Sequence, residues 1–194
     1  DNGVGKSLLA GIIRGKVKAT AGTVEVVGPL FYLKQNTQVT FTSNETVAEH
    51  FGAALKLNAL KNIKNGSIAA QDYQTVGDDC PYANAFKVQL AKLSKQITPY
   101  SKLSELSGGD LNKVMLWSIF AKANLQDSIL ILDEPSNHLD NETKQWLGNQ
   151  LLSFKGKCIL ISHDRELLNL CQHIAKLTPK GIELVESNYD EFER

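Results

Sequence analysis

The sequence predicts an α/β fold in which a mainly parallel sheet is flanked by helices, with a small α-helical subdomain. Short apolar runs typical of strands alternate with helical periodicities in both end regions of the chain. The run Ile129–Leu132 is continuously apolar, as expected for a parallel strand covered on both faces. The middle of the chain shows helical spacing instead. At 194 residues the chain is long enough for one well-buried domain.

The N-terminal part is predicted to alternate helix and strand. Apolar residues recur on one side from Lys6 to about Arg14, which indicates a helix. The segment Thr23–Val27 alternates between outward and inward positions like a strand, and Leu30–Leu33 forms a second short strand after a Gly-Pro pair. A polar loop follows at 36–43.

The middle of the chain predicts several short helices. Helical spacing runs from Glu45 to about Leu93 and is interrupted by Gly66, Gly77 and Pro81. We therefore assign 45–102 to a helical subdomain, and 1–44 with 103–194 to the α/β core of the same domain.

The remaining elements follow the same alternation. The predicted helices and strands are a helix from Gly108 to about Ala123, the strand Ile129–Leu132, a helix over Asn141–Phe154, a buried strand over Cys158–Ile161, a helix from Asp164 to about Cys171, and a terminal hairpin of 174–178 and 182–185.

Composition excludes several classes of protein. The formal net charge is zero, so there is no global basic field for nucleic acid. The three cysteines, Cys80, Cys158 and Cys171, show no paired metal-binding spacing and predict free thiols in a reducing compartment. No apolar run in the sequence approaches the roughly 18 residues of a membrane span, and we expect no signal peptide. We expect a cytoplasmic protein.

The first residues match most of a phosphate-binding loop, G-x-x-x-x-G-K-[ST]. Gly3, Val4 and Gly5 let backbone N–H groups point inward, Lys6 can bridge outer phosphates, and the Ser7 hydroxyl can bind magnesium. The alternative is a glycine-rich turn before an ordinary helix. The first glycine of the pattern falls before the first residue, so we expect this chain to be part of a longer one, and the fragment alone to be a poor ATPase.

Two acids end the apolar strand that begins at Ile129. Buried carboxylates are unfavourable unless they are used, and the carboxyl end of a parallel strand faces a phosphate site. Asp133 is therefore predicted to hold magnesium, and Glu134 to act as general base on the attacking water. The alternative is a strand end followed by acids that cap a helix before Pro135.

A Ser-Gly-Gly turn precedes the helix that begins near Gly108. Ser107 can cap this helix, which is a purely structural role. The same Ser107, Gly108 and Gly109 can also form a second anion site at a helix N-terminus. Two half-sites per domain suit a head-to-tail pair in which each domain closes on the ATP of the other.

Together these motifs resemble an ABC-type ATPase domain, with its P-loop NTPase fold, over essentially the whole chain. The resemblance implies ATP and Mg²⁺ as ligands and a second ABC domain as partner. It implies that Gln35, at the Q-loop position, contacts magnesium and the attacking water, and that His163, the switch histidine, contacts the γ-phosphate. Leu8 stands where a threonine is common, but its backbone N–H can still bind phosphate.

Three segments resemble the ABC-F branch, whose members lack membrane domains and mostly act on ribosomes. They are Asp133–Asp140, Ser162–Leu168 and Ser187–Phe192, the last being similar to the segment that leads into an interdomain linker. The resemblance implies a tandem domain in the same chain and the ribosome as partner. Alternatives are the nucleotide-binding subunit of a membrane transporter, partnered by a transmembrane subunit, and a regulatory module that binds ATP without turnover.

Overall fold

The computed structural model describes residues 5–34, 44–77, 82–123, 127–178 and 181–192. The chain divides into two compact units, one of Asp1–Gln35 with Met115–Arg194 and one of Asn36–Val114. The helical subdomain predicted at 45–102 lies inside the second unit. Residues 103–114, which the sequence placed with the α/β core, group with the second unit as well.

Helices and strands follow one another much as predicted. In chain order they are α1 (Lys6–Ile13), β1 (Leu30–Leu33), α2 (Val47–His50), α3 (Ala54–Lys64), α4 (Ala70–Val76), α5 (Tyr82–Leu93), α6 (Gly108–Lys122), β2 (Ile129–Asp133), α7 (Asn141–Ser153), β3 (Lys157–Ile161), α8 (Arg165–Leu168), β4 (Ile174–Thr178), β5 (Gly181–Val185) and α9 (Tyr189–Phe192). A short 3-10 turn at Leu103–Glu105 precedes α6. Helix α8 ends before the predicted Cys171.

The first unit is built on a parallel sheet. Its described strands lie in the order β1-β2-β3, with Leu33 opposite Leu132 and Asp133 opposite Ile161. Because the strands run in parallel, their carboxyl ends meet at one edge of the sheet. Strands β4 and β5 form the predicted antiparallel hairpin. The predicted α/β architecture is therefore confirmed.

The core of the first unit forms around β2. Leu130, Ile131 and Leu132 are fully buried, as is Leu147 on α7. Phe120, at the end of α6, makes edge-on aromatic contacts with Trp146 and Phe154, at centroid distances of 6.0 and 6.2 Å. Burial of this kind contributes about 1.5–3 kcal/mol per large side chain, and it fixes β2 as a rigid support for the residues at its end.

Two strand predictions are wrong in detail. Residues 23–27 form no strand with any described part of the chain, and Val27 is 73% exposed. Alternation alone does not make a strand, since its backbone groups also need a neighbouring strand. Residues Cys158–Ile161 were predicted to form a buried strand, but Cys158 and Ile159 on β3 are exposed. Side chains of a strand point out from the faces of the sheet, so their burial depends on what packs on those faces and not on the apolar run alone.

The second unit contains the short helices predicted from the sequence. Thr46 and Glu49 form a reciprocal capping box at the start of α2, and Thr46 also makes an isolated bridge with Lys102. Phe51 and Phe86 pack edge-on with ring centroids 5.5 Å apart.

Within the described residues, none of the helices has both the length and the apolar character to cross a membrane.

Candidate nucleotide-binding site

Helix α1 begins in a backbone conformation suited to phosphate binding. Gly5 has φ +98°, a left-handed conformation that other residues rarely adopt, and its carbonyl accepts the first helical bond from Leu9 at 2.9 Å. No side chain caps this helix. The first N–H groups of a helix have no acceptor within it, so the start of α1, including the backbone of Leu8, offers donors for an anion.

Ser7 and Asp133 meet at the carboxyl end of β2. The Ser7 hydroxyl donates to Oδ2 of Asp133 at 3.0 Å, although 126 residues separate them in sequence. The Tyr32 hydroxyl donates to the same oxygen at 3.2 Å. Asp133 is 3% exposed, so these hydroxyls compensate part of the loss of water around its charge. The predicted magnesium pair is therefore brought together.

Glu134 follows in a strained conformation. Its φ is +50°, and its N–H donates to the carbonyl of Ile161 on β3 at 2.7 Å. A left-handed conformation is unfavourable by about 1–2 kcal/mol for a residue with a Cβ. Strain of this kind is common where a backbone turn aims a functional group. The Glu134 side chain is 9% exposed.

The side chains of Lys6, His163 and Glu134 converge. Lys6 Nζ lies 3.1 Å from His163 Nε2, which in turn lies 3.3 Å from Glu134 Oε1. The backbone N–H of His163 also donates to Glu134 Oε2 at 3.4 Å. The ring nitrogen Nε2 accepts a hydrogen bond from Lys6 in the tautomer in which it carries no proton, and donates one to Glu134 in the tautomer in which it is protonated. Both predicted catalytic residues in the described chain, Glu134 and His163, thus lie near the lysine that is predicted to bind phosphate.

The loop after His163 is held by an ion pair. Lys144 Nζ on α7 lies 2.8 Å from Asp164 Oδ2, and Asp164 caps α8 by accepting from the N–H groups of Glu166 and Leu167. Burial by itself raises the pKa of Asp164, but the Lys144 hydrogen bond, the helix N–H groups and the Lys144 charge outweigh it and hold that pKa below its ordinary value.

Helix α7 begins with an aspartate cap just after a second strained residue. Asp140 accepts from the N–H of Thr143 at 2.8 Å, and His138, two residues before Asp140, has φ +62°. The segment between Glu134 and α7 is thus fixed at both ends by backbone geometry.

In the second unit, Ser107 forms the predicted helix cap. Its hydroxyl accepts the N–H of Asp110 at 3.1 Å and donates to Asp110 Oδ2 at 2.9 Å. Gly108 and Gly109 follow in the first turn of α6. The capping role is observed, and the same turn keeps the small residues that a second anion site requires.

Some predicted residues lie outside the described parts of the chain, namely Gly3, Val4, Gln35 and the loop at 36–43. Conversely, sequence reasoning missed Tyr32 and Lys144. Tyr32 is a polar-tipped residue near the end of a strand predicted to run parallel to β2, which could have identified it. Lys144 carries no comparable signal.

The donor set fits magnesium. One buried carboxylate and one hydroxyl are hard oxygen ligands, and Mg²⁺ is commonly held by one or two carboxylates together with substrate phosphates and water. Asp133 and Ser7 supply such a pair. Among the described residues there is no cluster of three or more His, Cys, Asp or Glu that could hold a metal ion.

A phosphate-binding helix start, a lysine and a carboxylate pair at one sheet edge define a P-loop nucleotide-binding domain. The family profile described as ABC transporter matches residues 1–137. The chain belongs to that family and is an ABC-type ATPase domain.

Two curated relatives are similar to this chain over nearly all of its residues. The chain is 33% identical over 208 residues to the ATP-binding protein Uup of Haemophilus influenzae, covering 97% of this chain and 31% of that protein. It is 30% identical over 196 residues to the energy-dependent translational throttle protein EttA of Escherichia coli K12, covering 99% of this chain and 31% of that protein. The chain is most like the ABC-F branch, to which both belong. It spans about a third of these relatives' length.

Solved structures confirm the fold. An ATP-binding subunit of an ABC transporter superposes with a TM-score of 0.71 at 18% identity, covering 100% of this chain and 78% of that one. A dimeric ATP-binding cassette in a post-hydrolysis state bound to ADP and Pi superposes with a TM-score of 0.63 at 18% identity, covering 96% and 82%.

Proposed function

We propose that this domain binds ATP with Mg²⁺ and hydrolyses it as one half of a head-to-tail pair of ABC domains, in a cytoplasmic protein that acts on ribosomes. The convergence of Lys6, His163 and Glu134 carries the catalytic part of this proposal. The His163 ring lies within hydrogen-bonding distance both of Lys6, a cation suited to phosphate, and of Glu134, a carboxylate suited to activating water.

Each residue has a distinct role in the proposed reaction. Lys6 and the N–H groups at the start of α1 bind the phosphates, and Glu134 accepts a proton from the attacking water. His163 contacts the γ-phosphate. Ser7 and Asp133 would hold magnesium, which when bound would neutralise phosphate charge. Gln35 is proposed to contact the metal and the water, while Gly3 and Val4 complete the phosphate loop.

The paired arrangement rests on the turn at Ser107. One domain alone has a phosphate loop and the Ser-Gly-Gly turn on different parts of its chain. We propose that Ser107, Gly108 and Gly109 contact the ATP held by a sister domain, in the same chain or in a second copy. The dimeric cassette that superposes on this chain supports such a pairing.

The ribosomal role rests on likeness to relatives. EttA is named as a translational throttle protein, and the chain matches it over 99% of its residues. The segments Asp133–Asp140 and Ser187–Phe192 carry the resemblance to the ABC-F branch. A transporter subunit is the second candidate, favoured by the exposed Leu55 and Ile68 of the helical unit, which could receive a transmembrane partner.

Replacing Glu134 by Gln in the full-length protein tests both parts. We expect ATP turnover to fall at least a hundredfold with ATP binding retained, because the amide cannot accept the proton. The matched variant Glu142→Gln, at an exposed position of α7, should turn over ATP normally. Turnover unaffected by Glu134→Gln would show that another group is the base.

The same variant tests the partner. Trapped with ATP, Glu134→Gln should sediment with ribosomes more than it does without nucleotide. Failure to sediment, together with copurification of a membrane subunit, would replace the ribosomal proposal by the transporter.

A further inference from the structure

The carboxylate of Asp133 is held by hydroxyl groups from two different elements. Ser7 donates from α1 and Tyr32 donates from β1, and both reach the same oxygen, Oδ2. We propose that Tyr32 is a positioning residue that fixes the Asp133 carboxylate in the orientation that binds Mg²⁺. This inference rests on the proposed nucleotide-binding function.

Strand register makes the contact between Tyr32 and Asp133 specific. Tyr32 pairs with Ile131, two residues before Asp133 along β2. Side chains two apart on a strand share a face, so Tyr32 and Asp133 lie on the same face of the sheet. The offset between them is about 7 Å along the strand, which the long phenol side chain spans and a serine or threonine does not.

Arg14 holds the ring of Tyr32 in place. Its guanidinium carbon lies 3.8 Å from the ring centroid, which is close for a cation–π contact. Arg14 stands at the C-terminal end of α1, and Ser7 stands in its first turn. One helix therefore sets the position of both hydroxyls that bond Asp133.

The two hydroxyls differ in what they can do when the metal binds. The oxygen of Ser7 is itself a predicted magnesium ligand, so its bonding must change. The hydroxyl of Tyr32 is not a predicted magnesium ligand, so it can keep donating to Oδ2 of Asp133.

The test is the magnesium dependence of nucleotide binding by full-length Tyr32→Phe. Loss of an outer partner of a metal ligand typically weakens metal binding ten- to a hundredfold. Because Ser7 still bonds Asp133, we expect the Mg²⁺ concentration for half-maximal binding of a fluorescent ATP analogue to rise about tenfold. Binding of the analogue with excess chelator should be unchanged.

Tyr73→Phe is the matched control, since it also loses a tyrosine hydroxyl bond, to the carbonyl of Ser67 in the other unit. It should leave the Mg²⁺ dependence unchanged. An unchanged Mg²⁺ requirement in a Tyr32→Phe protein that binds the analogue overturns the inference. If the wild-type protein itself shows no Mg²⁺-dependent binding, the proposed function fails instead.

A second measurement does not depend on the folding of Tyr32→Phe. With 3-fluorotyrosine placed at position 32, the fluorine resonance should shift when Mg²⁺ is added to the nucleotide-bound protein. The same label at position 73 should not shift. No shift at position 32 while Mg²⁺ tightens nucleotide binding overturns the inference.

Discussion

Lys144 and Asp164 form an ion pair, with Nζ 2.8 Å from Oδ2, that joins helix α7 to the loop following His163. The pair connects α7, which begins shortly after the strained residue His138, to Asp164, which follows His163 directly. Asp164 is nearly buried, with 11% of its side chain exposed, and also caps α8. This one carboxylate therefore holds the position of His163 from two directions.

Replacing Lys144 by Met removes the cation and leaves Asp164 with its helix N–H partners. We expect the free energy of unfolding to fall by about 1 kcal/mol, a value reduced for screening because Lys144 is partly exposed. Urea denaturation at neutral pH measures it. The exposed Lys155→Met should change stability by less than about 0.5 kcal/mol. An equal fall in the free energy of unfolding in both variants would show that the Lys144–Asp164 ion pair makes no specific contribution to stability.

The lowered pKa of Asp164 predicts how stability depends on pH. The ordinary, unfolded-state pKa is about 3.9, and the folded value is lower. The contribution of Asp164 is therefore fully present above the unfolded pKa and is lost as pH falls through the folded pKa. The stability difference between wild type and Asp164→Asn, measured by urea denaturation, should shrink as the pH is lowered below 4. A difference that grows on acidification contradicts the assignment.

Replacing Gly5 by Ala separates backbone strain from phosphate binding. A Cβ at Gly5 meets no close atom, the nearest being Leu177 Cδ2 at 3.7 Å, so the penalty comes from φ +98°. We expect a loss of about 1 kcal/mol in stability and at least tenfold weaker nucleotide binding, because the loop leaves its conformation. Gly15→Ala, at φ +67° with open space around it, should lose similar stability.

Nucleotide binding by Gly15→Ala should be that of the wild type, since Gly15 follows the far end of α1. Titration of a fluorescent ATP analogue reports both variants. Equal weakening in the two would assign the loss at Gly5 to general destabilisation.

Replacing Ser107 by Ala removes the cap of α6. We expect about 1 kcal/mol lower stability, the usual effect of losing an N-cap, because the N–H of Asp110 loses its acceptor. Thermal or urea denaturation measures this. The exposed Ser104→Ala is the control and should be neutral. If ATP-dependent pairing of domains is lost as well, the anion role of Ser107 gains support, whereas pairing as in the wild type contradicts it.

The parts of the site that the sequence predicts are those where side-chain chemistry repeats a local pattern. Ser7 follows a glycine loop, and Asp133 and Glu134 end an apolar strand, so their meeting could be expected from the parallel order of the strands. Tyr32 was missed because its role depends on strand register and on the length of its side chain. The register between two strands depends on how they pair and pack in the fold, and the pattern of one segment does not specify it.

The wrong predictions also arise because tertiary packing cannot be read from a local pattern. Residues 23–27 alternate correctly for a strand, yet a strand exists when a neighbour bonds to it. Strand β3 is apolar enough to be buried, yet Cys158 and Ile159 are exposed. The sequence pattern shows that a segment can form a strand or be buried, whereas the segments packed against it determine whether it does.

The left-handed backbone of Glu134 has a consequence for protein engineering. Glycine at this position would relieve about 1–2 kcal/mol of strain, although the loss of the contacts that the Glu134 carboxylate makes with His163 would offset part of the gain. A screen for thermal resistance alone would therefore tend to accept a variant that has lost its proposed proton acceptor. Selection for durability and selection for turnover oppose each other at this single residue.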